Sequence, residues 1–110
     1  MNLTYTYNKK IKKDDFGDIF KIAFDENPPE FSFSNDTTCS FLAKHLTIPG
    51  ELIEGECDID VENKEAIYYT EEGNNTELGR YLFEFRFTDG TYEQTYPKTE
   101  TLNYEVVESI

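Results

Sequence analysis

The chain has no tryptophan, one histidine, one methionine, two cysteines and only 10 lysines and arginines to set against 23 aspartates and glutamates in 110 residues. Each shortage excludes something. A single histidine, His45, leaves no second imidazole for a histidine-based metal site. No Gly-x-Ser-x-Gly elbow places a nucleophile near it. Two cysteines, Cys39 and Cys57, allow at most one disulfide. No apolar run approaches the roughly 20 residues of a membrane span. The stretch Met1–Tyr7 has no hydrophobic region of the secretory type, so synthesis and folding in a cytoplasm are expected. No glycine-rich loop cradles phosphate, and no cofactor is expected. The net charge of −13 repels phosphate backbones and anionic lipid, so neither nucleic acid nor membrane is an expected partner.

What the chain does have is aromatic: nine Phe and eight Tyr, 15% of the residues, within a hydrophobic fraction of only 37%. Disordered acidic chains are poor in such side chains. Rings that bury roughly 150–250 Å² each can supply most of a core. The length suits one domain, residues 1–110. Charge is unevenly spread. Residues 1–21 carry five lysines against three acids, whereas residues 22–110 carry five cations against 20 acids. The cluster Lys9-Lys10-Ile11-Lys12-Lys13 reads as a solvated turn or a strand edge guarded by lysines.

Period-two alternation dominates the pattern. Tyr81, Phe83, Phe85 and Phe87 alternate with Leu82, Glu84, Arg86 and Thr88, and Asp89-Gly90 follows. That dipeptide suits a two-residue hairpin turn. The return strand Thr91–Tyr96 would then set Phe87 against Tyr92, Arg86 against Glu93 and Phe83 against Tyr96. Further strands are expected over Asp18–Phe24, Thr38–His45 and Glu56–Glu62 (Cys57, Ile59 and Val61 inward), around Leu102, Tyr104 and Val106, and at Tyr5 and Tyr7. Only residues 64–72 have room for a helix, which Gly73 would end. Frequent turns between short strands describe an all-β sandwich or barrel.

The remaining motifs have plain structural readings. Asp58-x-Asp60-x-Glu62-Asn63 opens like a calcium loop but has Asn63 and Tyr69 where glycine and a bidentate acid belong, so it reads as the solvated face of a strand. Cys39 and Cys57 read as small buried thiols, with a disulfide between them left open should their strands pack closely. The triplets at Asn2, Asn35 and Asn74 match the glycosylation pattern by chance.

One stretch resembles a known family. Ala66-Ile67-Tyr68-Tyr69-Thr70-Glu71-Glu72, then Glu77–Phe85, Phe87-Thr88-Asp89-Gly90-Thr91 and Thr95-Tyr96-Pro97 are similar to the small immunoglobulin-like domain at the N-terminus of phage upper baseplate proteins. The resemblance implies a single immunoglobulin-like β-sandwich of about seven short antiparallel strands. It also implies a non-enzymatic virion adaptor, made in the host cytoplasm, that docks onto other phage tail or baseplate proteins, with self-association left open. The expected docking residues are Leu3, Tyr5 and Tyr7 on a first edge strand, Tyr92, Gln94 and Tyr96 on the return strand, and Glu71 and Glu72 in a loop. Strand addition at an edge is the expected mode. Two other readings compete. The carboxylates Glu56, Asp58, Asp60 and Glu62 suit an acidic inhibitor that mimics DNA in the basic groove of a host enzyme. Tyr5, Tyr7, Tyr68 and Tyr69 suit sugar stacking, a reading that the lack of tryptophan weakens.

Overall fold

The computed structural model describes residues 2–110. They form ten strands: β1 (Leu3–Tyr7), β2 (Lys10–Lys12), β3 (Ile19–Phe24), β4 (Thr38–His45), β5 (Leu52–Glu56), β6 (Asp58–Asp60), β7 (Glu65–Tyr69), β8 (Gly79–Thr88), β9 (Glu93–Tyr96) and β10 (Leu102–Val107). Among the described residues there is no helix. One sheet runs β1-β3-β7-β6, and the other runs β2-β10-β8-β4-β5 with β9 also paired to β8. All pairings are antiparallel except β2 with β10. The architecture is thus an all-β, two-sheet sandwich, with more strands than expected and one parallel pair.

Alternation decides which side chains lie between the sheets. Phe20, Ile22 and Phe24 of β3 are buried, as are Phe41 and Ala43 of β4 and Tyr81, Phe83, Phe85 and Phe87 of β8. Phe20 joins the layers, with its ring centroid 4.8 Å from Phe41, 5.0 Å from Phe83 and 4.9 Å from Tyr104. Phe41 stacks on Tyr68 at 4.5 Å, nearly parallel. That stack explains Gly55 on β5, where a Cβ would come within 2.4 Å of the Tyr68 ring.

Three expectations are corrected. Residues 65–69 are strand β7, not helix. The run Ile67-Tyr68-Tyr69-Thr70 is β-branched and aromatic, which favours a pleated, half-buried surface, and pairing with β3 buries Ala66 and Tyr68. Glu56–Glu62 is not one strand. β5 ends at Glu56 in one sheet, the chain crosses at Cys57, and β6 begins at Asp58 in the other. The third correction is the β8–β9 register. Phe87 faces Gln94, Arg86 faces Thr95 and Phe85 faces Tyr96, two residues from the expected pairing. The loop is four residues long because side chains close it. Asp89 Oδ1 accepts from the Thr91 amide (2.9 Å) and hydroxyl (2.6 Å), and the Thr88 hydroxyl donates to the Tyr92 carbonyl at 2.7 Å. An even slip leaves every side chain on its expected face.

The lysine cluster is an edge. β2 lies at the margin of its sheet, with Ile11 buried and Lys10 and Lys12 exposed, the arrangement that discourages pairing with another chain.

Candidate docking surfaces

The open edges come first. β1 pairs only with β3, so one row of its backbone N–H and C=O groups is left without a partner strand. Leu3, Tyr5 and Tyr7 point inward and are half-buried, while Thr4 and Thr6 face solvent. Tyr7 meets Phe83 edge-on at 4.9 Å, and Tyr5 lies over Phe85 at 6.4 Å. Burial, and then the Glu100 carboxylate, pushes the Tyr5 phenol up to about 12. What β1 presents outward is therefore backbone and threonine, not tyrosine rings.

The return strand offers less than expected. β9 also has a free edge, but Tyr96 is fully buried, and Tyr92 stacks on Phe31 at 4.9 Å in the loop before the strand. Gln94 accepts from the Lys98 ammonium. Tyr96 is corrected from a surface residue to a core residue. It falls on the inward phase of the alternation, where Phe24, Phe31 and Phe87 surround it. Glu71 and Glu72 are exposed, in a turn closed by Asn74, whose Oδ1 accepts from the Glu71 amide at 2.8 Å. They follow β7 at the end where β8 begins, whereas β9 pairs with the last residues of β8. The fold keeps Glu71 and Glu72 apart from β9, whereas the phenols of Tyr5 and Tyr92 lie near that of Tyr96.

Other singled-out residues prove structural. His45 is buried. Its Nδ1 accepts from the amides of Thr47 and Ile48, both at 3.0 Å, which places the proton on Nε2, donated to the Leu78 carbonyl at 2.7 Å. Gly79 follows from this arrangement: its φ is +122°, and a Cβ there would lie 2.7 Å from His45 Nε2. Asp60 accepts from the Asn63 amide at 3.0 Å and the Asn63 side chain at 2.8 Å, closing the turn into β7, and those bonds hold its carboxyl below the usual range. Cys39 is buried and Cys57 half-buried, both as free thiols. The Cys57 amide donates to the Cys39 carbonyl at 2.8 Å, and burial pushes the Cys39 thiol far up. Of the four tyrosines considered for sugar stacking, Tyr68 is buried and donates to Asn74 Oδ1 at 2.6 Å, and only Tyr69 is well exposed. Among the described residues, no group of three or more His, Cys, Asp or Glu is placed to hold a metal ion.

One surface had no sequence signal. On β8, Phe85 opposes Tyr96 and Phe83 opposes Leu102, so residues 97–101 loop out where a continuous ladder needs one residue opposite Glu84. This loop walls two cavities of about 300 Å³ each on the outer face of the larger sheet. The first is mostly apolar, built on Leu42, Leu52 and Leu82 with Pro97 at its side, and Lys44, Glu84 and Glu100 also line it. The second holds Lys9, Lys10 and Arg80 with one carboxylate, Glu105. Thr101 lines both.

No family model, no curated protein and no solved structure matches this chain.

Proposed function

We propose that this chain is a non-catalytic, immunoglobulin-like docking module of a phage tail or baseplate, joined to other virion subunits by strand addition at β1. The observation that carries the docking mode is the open β1 edge. Alternate residues, Leu3, Tyr5 and Tyr7, present unpaired backbone groups at this edge, while their side chains anchor it from beneath. An incoming strand would gain main-chain hydrogen bonds there without disturbing the core. Strand order supports the immunoglobulin-like reading. With the strands lettered A to G, β1-β3-β7-β6 follows A-B-E-D, and β10-β8-β4-β5 follows G-F-C with an added C′. The Gly79–Pro97 resemblance supports the virion setting.

The acidic-inhibitor reading loses its spacing argument. Glu56 ends β5 in one sheet while Asp58 and Asp60 form β6 in the other, so the four carboxylates are not one row, and that reading keeps only the net charge.

Cross-linking mass spectrometry on purified particles tests the proposal. The chain should be present, with cross-links from Lys9 and Lys10 to another tail subunit. Its absence from particles, together with no tail-protein complex by size exclusion and light scattering, refutes it. Thr4→Lys with Thr6→Lys, which places charged side chains on exposed edge positions and discourages strand pairing, should abolish the complex while the domain still melts cooperatively.

A further inference from the structure

We infer that the two cavities on the outer face of the larger sheet form one bipartite groove that takes a short extended peptide of a partner protein, with acidic residues at one end and aliphatic residues at the other. This uses a sheet face, not an edge, and stands whether or not β1 accepts a strand.

Thr101 lines both cavities, which places them side by side on the sheet. From β5 to β2 the groove crosses β4, β8 and β10. Four inter-strand spacings amount to about 19 Å, the reach of roughly six extended residues.

The apolar end is unusual for a sheet face in solvent. Leu42 and Leu82 lie on the outward phase of neighbouring strands, and Leu52 beside them is 53% exposed.

The basic end is unusual for this chain. Lys9, Lys10 and Arg80 stand together in a molecule of net charge −13, and among the described residues none of the three forms an ion pair. Arg80 is oriented by a 2.8 Å hydrogen bond from its guanidinium to Asn103 Oδ1, which leaves other donors of the fork available for a carboxylate. Lys9 and Lys10 lie about 70 positions from Arg80 in sequence, and the parallel pairing of β2 with β10 brings them to one cavity.

Charge complementarity selects the occupant. Carboxylates fit the basic end, and the acidic remainder of the surface repels an acidic segment placed anywhere else, which sharpens specificity. Aliphatic side chains fit the leucine end.

The test is a ¹⁵N-NMR titration of the full chain with acetyl-Glu-Asp-Glu-Leu-Ile-Leu-amide and with the reversed sequence. One order should shift the amides of Arg80, Thr101 and Asn103 together with those of Leu42, Leu52 and Leu82. An all-acidic and an all-aliphatic hexapeptide should each bind at least about tenfold more weakly. Lys9→Glu with Lys10→Glu should lower affinity by a similar factor, and so should Leu52→Ser at the other end. Both changes are at exposed positions, and the spectrum itself reports whether the fold is kept. The inference is overturned if neither peptide shifts these amides. It is also overturned if inorganic phosphate or the all-acidic peptide binds equally well, which makes the site a plain anion site. Concentration-dependent shifts without peptide, accompanied by a dimer mass, overturn it in favour of a contact between two copies.

Discussion

The two ends of the sandwich are closed by different means. Where β8 begins, polar groups close the core: the Tyr104 hydroxyl donates to Asn75 Oδ1 at 2.7 Å, Tyr68 to Asn74 Oδ1 at 2.6 Å and Tyr81 to Glu51 Oε2 at 3.1 Å, with His45 on the Leu78 carbonyl at 2.7 Å. Where β8 ends, rings close it: Phe24 lies 5.3 Å from Phe33 and 5.6 Å from Phe87, and Phe31 lies 5.2 Å from Phe87. There the hydroxyl of Tyr92 is buried without a hydrogen-bond partner among the described residues. Ring packing is non-directional and sensitive to volume. The polar closure is directional and sensitive to single atoms.

Removing volume should do most damage at the ring end. Phe87 is fully buried among Phe24, Phe31, Phe33 and Tyr96. Phe87→Ala should cost about 3–5 kcal/mol, read as a lowered midpoint in urea. A cost below about 1 kcal/mol would mean that the end collapses freely around the gap.

Alkali should strike the polar end harder. At the polar end, burial raises the phenol of Tyr68 to about 12 and those of Tyr81 and Tyr104 further, whereas at the ring end Tyr96 alone is raised as far. A folded-state value above the unfolded one near 10 means the folded protein holds its protons longer. The contribution is therefore complete below pH ~10 and is lost as pH rises through and beyond ~12. Ionising Tyr81 would also set a phenolate against the Glu51 carboxylate. Thermal melts at pH 9 and pH 11.5 should differ by roughly 10 °C or more, with amide protection lost first around residues 71–81. Equal melting temperatures would contradict the burial of these hydroxyls.

Gly79→Ala tests the polar end without changing a polar group. The positive φ and the 2.7 Å approach of His45 Nε2 should together cost roughly 1–3 kcal/mol. In a His45→Ala background the added cost should shrink to the backbone part, a coupling that a double-mutant cycle measures. Strict additivity would show that the imidazole does not require the glycine.

How much of this could be read from sequence follows the same division. Alternation reports side-chain faces, so Phe20, Ile22 and Phe24, Cys39, Phe41 and Ala43, and the β8 rings were all readable, and β4 matched at both ends. Alternation does not report what closes a loop. The β8–β9 register was missed because the Thr88 and Asp89 side chains replace the tight turn that Asp89-Gly90 favours. It says nothing of a strand that changes sheets, so Glu56–Glu62 looked continuous. Nor does it flag Asn75, which sits in a turn-like run yet is fully buried with φ +52°. The basic cavity was unreadable because Lys10 and Arg80 come to one cavity, on either side of Glu105, only through the β2–β10–β8 pairing. The lysine cluster and Arg80 were each visible, but their proximity was not.

The finest test applies one substitution to both ends. Tyr104→Phe removes the donor to Asn75 Oδ1. Asn75 is fully buried, and its Nδ2 already lacks a partner, so the loss strands both polar atoms of its amide. The expected cost is about 1–3 kcal/mol, because the oxygen cannot turn to water. Tyr92→Phe removes a hydroxyl that is buried and unpartnered, while the ring keeps its stack on Phe31. Deleting such a group returns its desolvation cost, so stability should stay within about 0.5 kcal/mol of the parent or rise. Urea unfolding of the two variants reads the difference directly. If both lose the same amount, the hydroxyls at the ring end are held as firmly as those at the polar end, and the two closures work by the same means. If only Tyr104→Phe loses stability, one atom at the polar end matters more than the matching atom at the ring end, as hydrogen bonding at one end and ring packing at the other require.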